Sequence, residues 1–245
     1  MINIVIPIAS NFFIDENEEY QFPLPLIELY GKTLIEYTIE GIEKVDDKIK
    51  FIFILKEQDC RKYKFDSSLK LLKPDCSIIK LNNTTKGAIC SILMAIDEID
   101  KEEELIILNY DQFIDLNLNV FLKNFRQLNA DGGLITFNSI HPRWSYAKID
   151  GEFVIQTAEK NPISNLAIAG FYYFKRASIF IDSAFDVIKF DQNYNGNFYT
   201  SSVYNQMILQ NMRVYSFLIK KESYYSFYSP QKVNEFKDFL KNKHE

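Results

Sequence analysis

In Glu104-Leu105-Ile106-Ile107-Leu108-Asn109-Tyr110-Asp111 four apolar residues, Leu105 to Leu108, lead through Asn109 and Tyr110 to an acid. Apolar residues without polar alternation describe a strand buried on both faces, as in a parallel sheet covered by helices. An acid just past such a strand sits where open α/β sheets bind their ligands, outside the carboxyl ends of the strands. Outward from this segment, Ile2 to Ile8, Phe51 to Leu55 and Ser77 to Leu81 read as further buried strands. Between them, Thr33 to Val45 carries Leu34, Ile35, Thr38, Ile39, Ile42 and Val45 at helical spacing. Gly87 to Ile99 does the same with Ala88, Ile92, Ala95 and Ile99. Strands alternating with helices give a parallel sheet with crossover connections, a nucleotide-binding type of architecture.

The second half changes character. Leu134 to Phe137, Ala147 to Ile149, Phe153 to Glu159 and Ala169 to Phe174 read as strands joined by short turns. Helices are expected at Ala177 to Lys189 and Ser202 to Gln210, then a strand at Val214 to Ile219 and a helix at Gln231 to Asn242. No repeat, low-complexity tract or linker interrupts the chain. The expected fold is α/β: a single Rossmann-like domain over residues 1–245, with a mixed, mostly parallel central sheet flanked by helices.

Composition narrows the partners. The 245 residues are 47% apolar and 15% aromatic, enough for a full core, and carry a net charge of −5. No basic stripe is present, which argues against nucleic acid. The opening residues lack a positive n-region, and no apolar run reaches membrane-spanning length, about 18 residues. Cys60, Cys76 and Cys90 have no metal-binding spacing and read as reduced thiols of a cytoplasmic protein.

Several polar positions carry chemistry, each beside a plainer reading. Asp111 offers hard oxygen ligands for Mg²⁺ alongside substrate phosphates, or it caps a loop; Asp115 lies four residues on. Thr84-Thr85-Lys86-Gly87-Ala88 opens a helix, and its free N–H groups suit a nucleobase edge or an anion, or form an ordinary cap. The segment from Thr136 to Lys175 holds the chain's one tryptophan, Trp144, together with His141 and the adjacent Glu159 and Lys160. A carboxylate can accept from sugar hydroxyls and an ammonium can meet a phosphate; the plain alternative is a surface ion pair. Asn195-Gly196-Asn197-Phe198-Tyr199 reads as a turn before a helix. His141 is a candidate acid or base, but no carboxylate partner is evident, and no nucleophilic triad is visible from spacing.

Taken together these segments resemble the sugar-phosphate nucleotidyltransferases, a branch of the glycosyltransferase-A-type superfamily, and within it the capsule or lipopolysaccharide group. The resemblance spans nearly the whole chain. It rests on Asn109-Tyr110-Asp111-Gln112, Thr136-Phe137 with His141-Pro142-Arg143-Trp144-Ser145-Tyr146-Ala147-Lys148, and Glu159-Lys160 with Ile163-Ser164. Ala169 to Lys175, and Asn195 to Tyr199 with Val203-Tyr204-Asn205, complete it. It implies attack of a sugar 1-phosphate on the α-phosphorus of an NTP, giving an NDP-sugar and pyrophosphate. It further implies that residues 1–115 are the nucleotide-side half and 116–245 the sugar-side half. Asp111 would match the Mg²⁺ ligand, and Gly87 and Ala88 the loop that meets the nucleobase. Glu159 and Lys160 would hold the sugar and its phosphate, with Asn195 and Tyr199 near the sugar. The implied partners are a nucleotide and a sugar phosphate in a bacterial cytoplasm, and self-association into a homo-oligomer is compatible with this.

The chain departs from the family pattern at its start. The family follows its first strand with a Gly-rich loop bearing an Arg, and then a Lys-Pro pair. Here the loop reads Ala9-Ser10-Asn11-Phe12-Phe13-Ile14, no glycine precedes Gly31, the pair reads Leu24-Pro25, and the first cation is Lys32. Asp15, Glu16, Glu18 and Glu19 add negative charge, which opposes a triphosphate. Each lost contact to transition-state charge costs about 2.7–4 kcal/mol. Tyr228-Ser229-Pro230-Gln231-Lys232-Val233 stands where the family has a Gly-Thr-Pro-Glu-Asp-Leu type segment, with Glu222 the nearest upstream carboxylate. Asn197 replaces a frequent Glu, and Lys86 a frequent acid. The alternative function is therefore a catalytically degenerate relative that binds a sugar phosphate or nucleotide sugar, or that partners an active homologue. A glycosyltransferase role ranks last, because Gln112 and Phe113 follow Asp111 in place of an Asp-x-Asp motif.

Overall fold

The computed structural model describes residues 1–10 and 22–244. Asn11 to Ile14 and the acids Asp15, Glu16, Glu18 and Glu19 lie outside the described residues.

The first half alternates as its sequence dictates: β1 (Ile2–Ile8), β2 (Glu28–Leu29), β3 (Lys32–Thr33), α1 (Leu34–Glu43), β4 (Ile49–Lys56), α2 (Glu57–Tyr63), α3 (Phe65–Leu72), β5 (Ser77–Leu81), α4 (Ala88–Leu93), β6 (Glu104–Leu108) and β7 (Gln112–Ile114). There follow α5 (Leu118–Gln127), β8 (Gly132–Asn138), β9 (Ser145–Asp150), β10 (Phe153–Glu159), β11 (Leu166–Phe174), α6 (Ala177–Lys189), α7 (Thr200–Leu209), β12 (Val214–Ile219), β13 (Tyr224–Ser226) and α8 (Pro230–His244).

Nine strands form one sheet in the order β5-β4-β1-β6-β11-β8-β12-β10-β9. The pairs β4/β5, β1/β4 and β1/β6 are parallel. From β6 onward the sheet is mixed: β11 runs antiparallel to β6 and β8, β12 is parallel to β8, and β10 is antiparallel to β12 and β9. The expectation of a mostly parallel sheet thus holds for the first half alone. The two-residue turn at Gly151 and Glu152 joins β9 and β10 as antiparallel neighbours, because a parallel return needs a long crossover.

Both faces are apolar because the pleat sends successive side chains of the central strands to opposite sides. Ile2, Ile4, Ile6 and Ile8 of β1 enter one cluster with Ile35 and Ile39 of α1, Phe65 of α3 and Phe121 and Phe125 of α5. Val5, Ile52, Ile54 and Ile107 enter the opposite cluster with Ile89 of α4, Phe180 of α6 and Tyr204 of α7. Full burial of each such side chain contributes about 1.5–3 kcal/mol. A third cluster joins Leu24, Leu29, Leu34 and Tyr37 to Phe227, Val233, Phe236 and Leu240. α1 starts where the Glu36 carboxylate accepts from the Thr33 amide at 2.5 Å and the Thr33 hydroxyl at 2.7 Å, a capping arrangement.

One helix expectation needs correction. The helix expected from Gly87 to Ile99 ends at Leu93. Beyond it, Met94, Ala95, Ile96 and Glu98 donate three residues back, to Ser91, Ile92, Leu93 and Ala95, so the segment tightens into turns. The residues between β4 and β5, left unassigned by the sequence, form α2 and α3.

The chain leaves β1 toward β4 and β5, then crosses back to β6 on the other side. This reversal opens a crevice between the carboxyl ends of β1 and β6. A bulge in β11 shapes its wall: the pairing with β8 shifts register between Ile168 and Tyr172, around Gly170 with φ +58°. A Cβ there would stand 2.4 Å from Gln112 Oε1 and 2.6 Å from Asn109 Nδ2, so glycine is required for the Asn109–Gln112 segment to fold over this strand.

Candidate functional site

The segment after β6 is fixed before its side chains do anything chemical. The Asn109 amide and the buried Gln112 side chain both donate to the Gly170 carbonyl, at 2.9 and 3.0 Å. The Tyr224 hydroxyl donates to Gln112 Oε1 at 3.0 Å. β7 pairs with β13, Gln112 opposite Ser226, and the Asp111 carbonyl accepts from the Phe227 amide at 2.8 Å. Tyr110 and Ser10 share a hydroxyl–hydroxyl hydrogen bond of 2.8 Å across the crevice from β6 to β1. Asp111 is held between these anchors. Burial raises its carboxyl above the usual range, opposed by its own backbone amide and by the nearby Arg143 guanidinium.

The Thr84–Ala88 loop forms a second wall. Gly87 precedes α4 with φ +98°, and a Cβ on it would stand 2.5 Å from the Phe198 carbonyl oxygen. That close approach lets Phe198 donate to the Lys86 carbonyl at 2.8 Å and accept from Ile89 at 3.2 Å. Thr85 and Ser91 hydroxyls bond at 2.6 Å beneath the loop. The loop is thereby zipped to the Asn197–Phe198 segment, which leads into α7.

The third wall comes from β9, β10 and the start of α7. The Glu159 carboxylate accepts from the Ser145 hydroxyl and, at 3.0 Å, from the Ser201 hydroxyl. Burial pushes the Glu159 carboxyl up; the two hydroxyls and Lys160 pull it down. Lys160 has φ +51°, and its ammonium donates to the Tyr199 hydroxyl at 3.2 Å while lying 5.1 Å from that ring and 5.6 Å from the Tyr194 ring.

These walls enclose a cleft of about 540 Å³. Of the sequence-derived candidates, Gly87, Ala88, Asp111, Glu159 and Tyr199 line it together. Lys160 is exposed beside it and reaches it through the Tyr199 hydroxyl. Asn195 stands apart, exposed at φ +50° in the turn where Tyr194 and Asn197 bridge. Asp115 is turned to Lys243, 2.6 Å away, and does not line the cleft. Glu222 is exposed and does not line it either. Leu24 is buried in the cluster with Phe227 and Phe236.

His141 has a local structural task. Its Nδ1 accepts from the Arg143 amide at 3.3 Å, and its carbonyl accepts from the Trp144 amide at 3.3 Å and the Tyr146 hydroxyl at 2.6 Å. Cys60, Cys76 and Cys90 are free thiols raised by burial. Sequence reasoning assigned no role to Arg143, Trp144, Ser10 or Tyr228, all of which line the cleft. The signal for Arg143 and Trp144 was their place in the His141–Lys148 motif; Tyr228 is brought in only by the pairing of β13.

Among the described residues no group of three or more His, Cys, Asp and Glu side chains converges as a metal cage. The described cleft offers the Asp111 and Glu159 carboxylates, and hydroxyls already engage Glu159. That donor set suits a hard cation taking most of its oxygens from water and a ligand's phosphates, with Asp111 as the protein ligand. Among the described residues no helix is long and apolar enough to cross a membrane.

The fold recurs in solved structures. A nucleoside-diphosphate-sugar pyrophosphorylase from Vibrio cholerae RC9 superposes with a TM-score of 0.81 at 24% identity, covering 97% of this chain and 100% of that one. A UDP-glucose pyrophosphorylase complexed with UDP-glucose gives 0.73 at 14% identity, covering 99% and 100%. The inositol-1-phosphate CTP transferase from T. maritima gives 0.74 at 12% identity, covering 96% and 94%. No curated protein sequence matches significantly. The family model for nucleotidyl transferases matches residues 20–225, most of the chain, so this protein belongs to the nucleotidyl transferase family.

Proposed function

We propose that this protein transfers a nucleotidyl group from an NTP to a sugar 1-phosphate. One observation carries the reading: Asp111, Glu159 and the Gly87–Ala88 loop line a single cleft outside the carboxyl ends of β1 and β6. A sugar-phosphate oxygen attacks the α-phosphorus of the NTP; the bond from that phosphorus to the oxygen bridging to the β-phosphorus breaks, and pyrophosphate leaves. Asp111 would hold Mg²⁺, which offsets the phosphate charge when bound. The Gly87–Ala88 loop positions the nucleobase. Glu159, whose carboxyl is raised by burial and drawn back by Ser145, Ser201 and Lys160, receives sugar hydroxyls, and Lys160 with Tyr199 meets the sugar phosphate. Such sites work by orienting reactants and stabilising charge, not by forming a covalent intermediate with the protein.

The resemblance to the capsule and lipopolysaccharide group supports a surface-polysaccharide precursor as the product. On this reading residues 1–245 act as one cytoplasmic domain on small molecules, alone or as a homo-oligomer. The degenerate first loop belongs to the same reading. A second reading is favoured by one observation: Leu24 is packed in an apolar cluster where the family has a lysine. The chain would then bind a sugar phosphate or nucleotide sugar without turnover, or partner an active homologue.

Pyrophosphate release decides between them. Purified protein with Mg²⁺ is assayed against the four common NTPs and a panel of sugar 1-phosphates. Turnover with one pair supports the first reading. Silence, with calorimetric binding of a nucleotide sugar, supports the second. Absence of both binding and turnover overturns the transfer and ligand-binding readings and leaves partnership with an active homologue.

A further inference from the structure

Among the described residues Arg143 is the arginine left without a carboxylate partner. Arg61 pairs with Glu57, Arg126 with Asp47 and Glu104, Arg176 with Glu102 and Arg213 with Asp131. Among the described residues Arg143 has no such partner within 4.0 Å, although it lines the cleft beside Asp111. Its guanidinium carbon lies 3.1 Å from the centre of the Tyr228 ring and 5.5 Å from that of Trp144. The loop that carries it is tied down on both sides. The Arg143 amide donates to His141 Nδ1, and the Trp144 carbonyl accepts from the Lys160 amide at 3.0 Å.

A guanidinium resting on ring faces keeps its in-plane N–H donors free, and those donors match phosphate oxygens two at a time. Packing against rings also removes rotamer freedom in advance, so less is lost when an anion arrives. The cation stands in a cleft whose first-strand loop lacks the family's Arg and Lys. We propose that Arg143, held by Tyr228 and Trp144, is the phosphate-gripping cation of this cleft. The ligand it takes is a phosphoryl group next to Asp111, on either the nucleotide or the sugar phosphate. For the identity of that ligand the assignment rests on the proposed nucleotidyl-transfer reading; for its geometry it does not.

Trp144 is the chain's one tryptophan, so intrinsic emission reports on this subsite. Inorganic pyrophosphate and glucose 1-phosphate are titrated separately into the wild type, Arg143→Lys, Arg143→Gln and Arg143→Ala. Emission and calorimetry are followed in parallel, and thermal melts check folding. A saturable emission change is expected with at least one probe. Binding should weaken about 10- to 100-fold in Arg143→Ala, as for loss of charged hydrogen bonds, and less in Arg143→Lys, which keeps charge without the planar fork. If Arg143→Ala does not fold, Arg143→Gln carries the comparison. The probe that loses more affinity identifies the phosphate that Arg143 holds. Equal affinity in the wild type and the charge-removing variants overturns the assignment, even in an enzyme that turns over. Failure of the wild type to bind either probe also overturns it. Arg143-dependent binding in a protein that releases no pyrophosphate from any NTP upholds the assignment while the transfer reading falls.

Discussion

The main-chain carbonyl of Asp111 accepts a hydrogen bond from the amide of Phe227 at 2.8 Å, so the acid of the cleft is fixed by the last strand of the chain. Behind Phe227 stands Phe236 of α8, fully buried, with its ring centre 5.1 Å from those of Phe227 and Phe113 and 5.4 Å from that of Tyr37. Phe236→Ala should therefore cost about 3–5 kcal/mol of stability, the usual range for emptying such a site. In the fraction that still folds, Mg-nucleotide affinity should fall more than sugar-phosphate affinity, because Asp111 is the side that loses support. Denaturant unfolding and calorimetric titration measure the two effects.

Burial raises the carboxyls of Asp111 and Glu159 above their ordinary values. Each group then favours its protonated form in the folded protein. The stability it contributes is complete below the ordinary carboxylate pKa and declines as pH rises through the raised folded value. Asp111→Asn removes that charge. The ligand-free variant should be more stable than the wild type near neutral pH, because it no longer buries an ionisable carboxyl. Its stability should also fall less steeply above the carboxylate range, while Mg²⁺-dependent turnover disappears. Thermal melts across pH and a pyrophosphate assay test both halves; a variant less stable than the wild type at neutral pH would refute the first.

Gly87→Ala tests the nucleobase wall. The new Cβ would meet the Phe198 main chain at 2.5 Å in a backbone conformation with φ +98°. Backbone atoms cannot swing aside, so the loop must shift or the zip to Phe198 must open. The expected cost is about 1–3 kcal/mol, with nucleotide affinity reduced and sugar-phosphate affinity nearly kept. Separate titrations with an NTP and with a sugar phosphate read this out.

The sequence made the sheet legible where strands are buried on both faces. Leu105 to Leu108 has no polar interruption and Ile2 to Ile8 only the buried Asn3, and their ends coincide with β1 and β6 to within a residue. It overran α4 because the 4-3-4 spacing of Ala88, Ile92, Ala95 and Ile99 is that of an α-helix, although the chain past Leu93 closes three-residue turns. α5 escaped notice although Leu118, Phe121, Leu122 and Phe125 are spaced for it and all are buried. α2 and α3 gave little signal, since α2 buries only Asp59 and Cys60 and α3 only Phe65 and Leu69. In the cleft, Asp111, Glu159 and the Gly87 loop were legible because strand ends and turns mark them locally. Arg143 on Tyr228, and Gln112 under Tyr224, were not. Those contacts depend on β13 returning beside β7, a pairing between distant segments that no local pattern encodes.

Lys160 and Tyr199 separate binding from folding. Lys160 is exposed, and its ammonium donates to the Tyr199 hydroxyl at 3.2 Å. Lys160→Gln should leave stability within about 0.5 kcal/mol of the wild type. If the ammonium meets the sugar phosphate, kcat/KM should drop about 10- to 100-fold through loss of a charged hydrogen bond. Tyr199→Phe, which removes only the hydroxyl, should show a smaller change in the same direction. A normal kcat/KM in Lys160→Gln would remove Lys160 from the site.

One cleft should hold both substrates, nucleotide against Gly87 and Ala88, phosphates by Asp111 and sugar by Glu159. A crystal structure of the protein soaked with nucleotide sugars tests it directly. Density is expected with the base on the Gly87–Ala88 loop, the phosphates within reach of Asp111 and the sugar against Glu159 and Tyr199. A nucleotide sugar bound elsewhere, touching neither Asp111 nor Glu159, would contradict it.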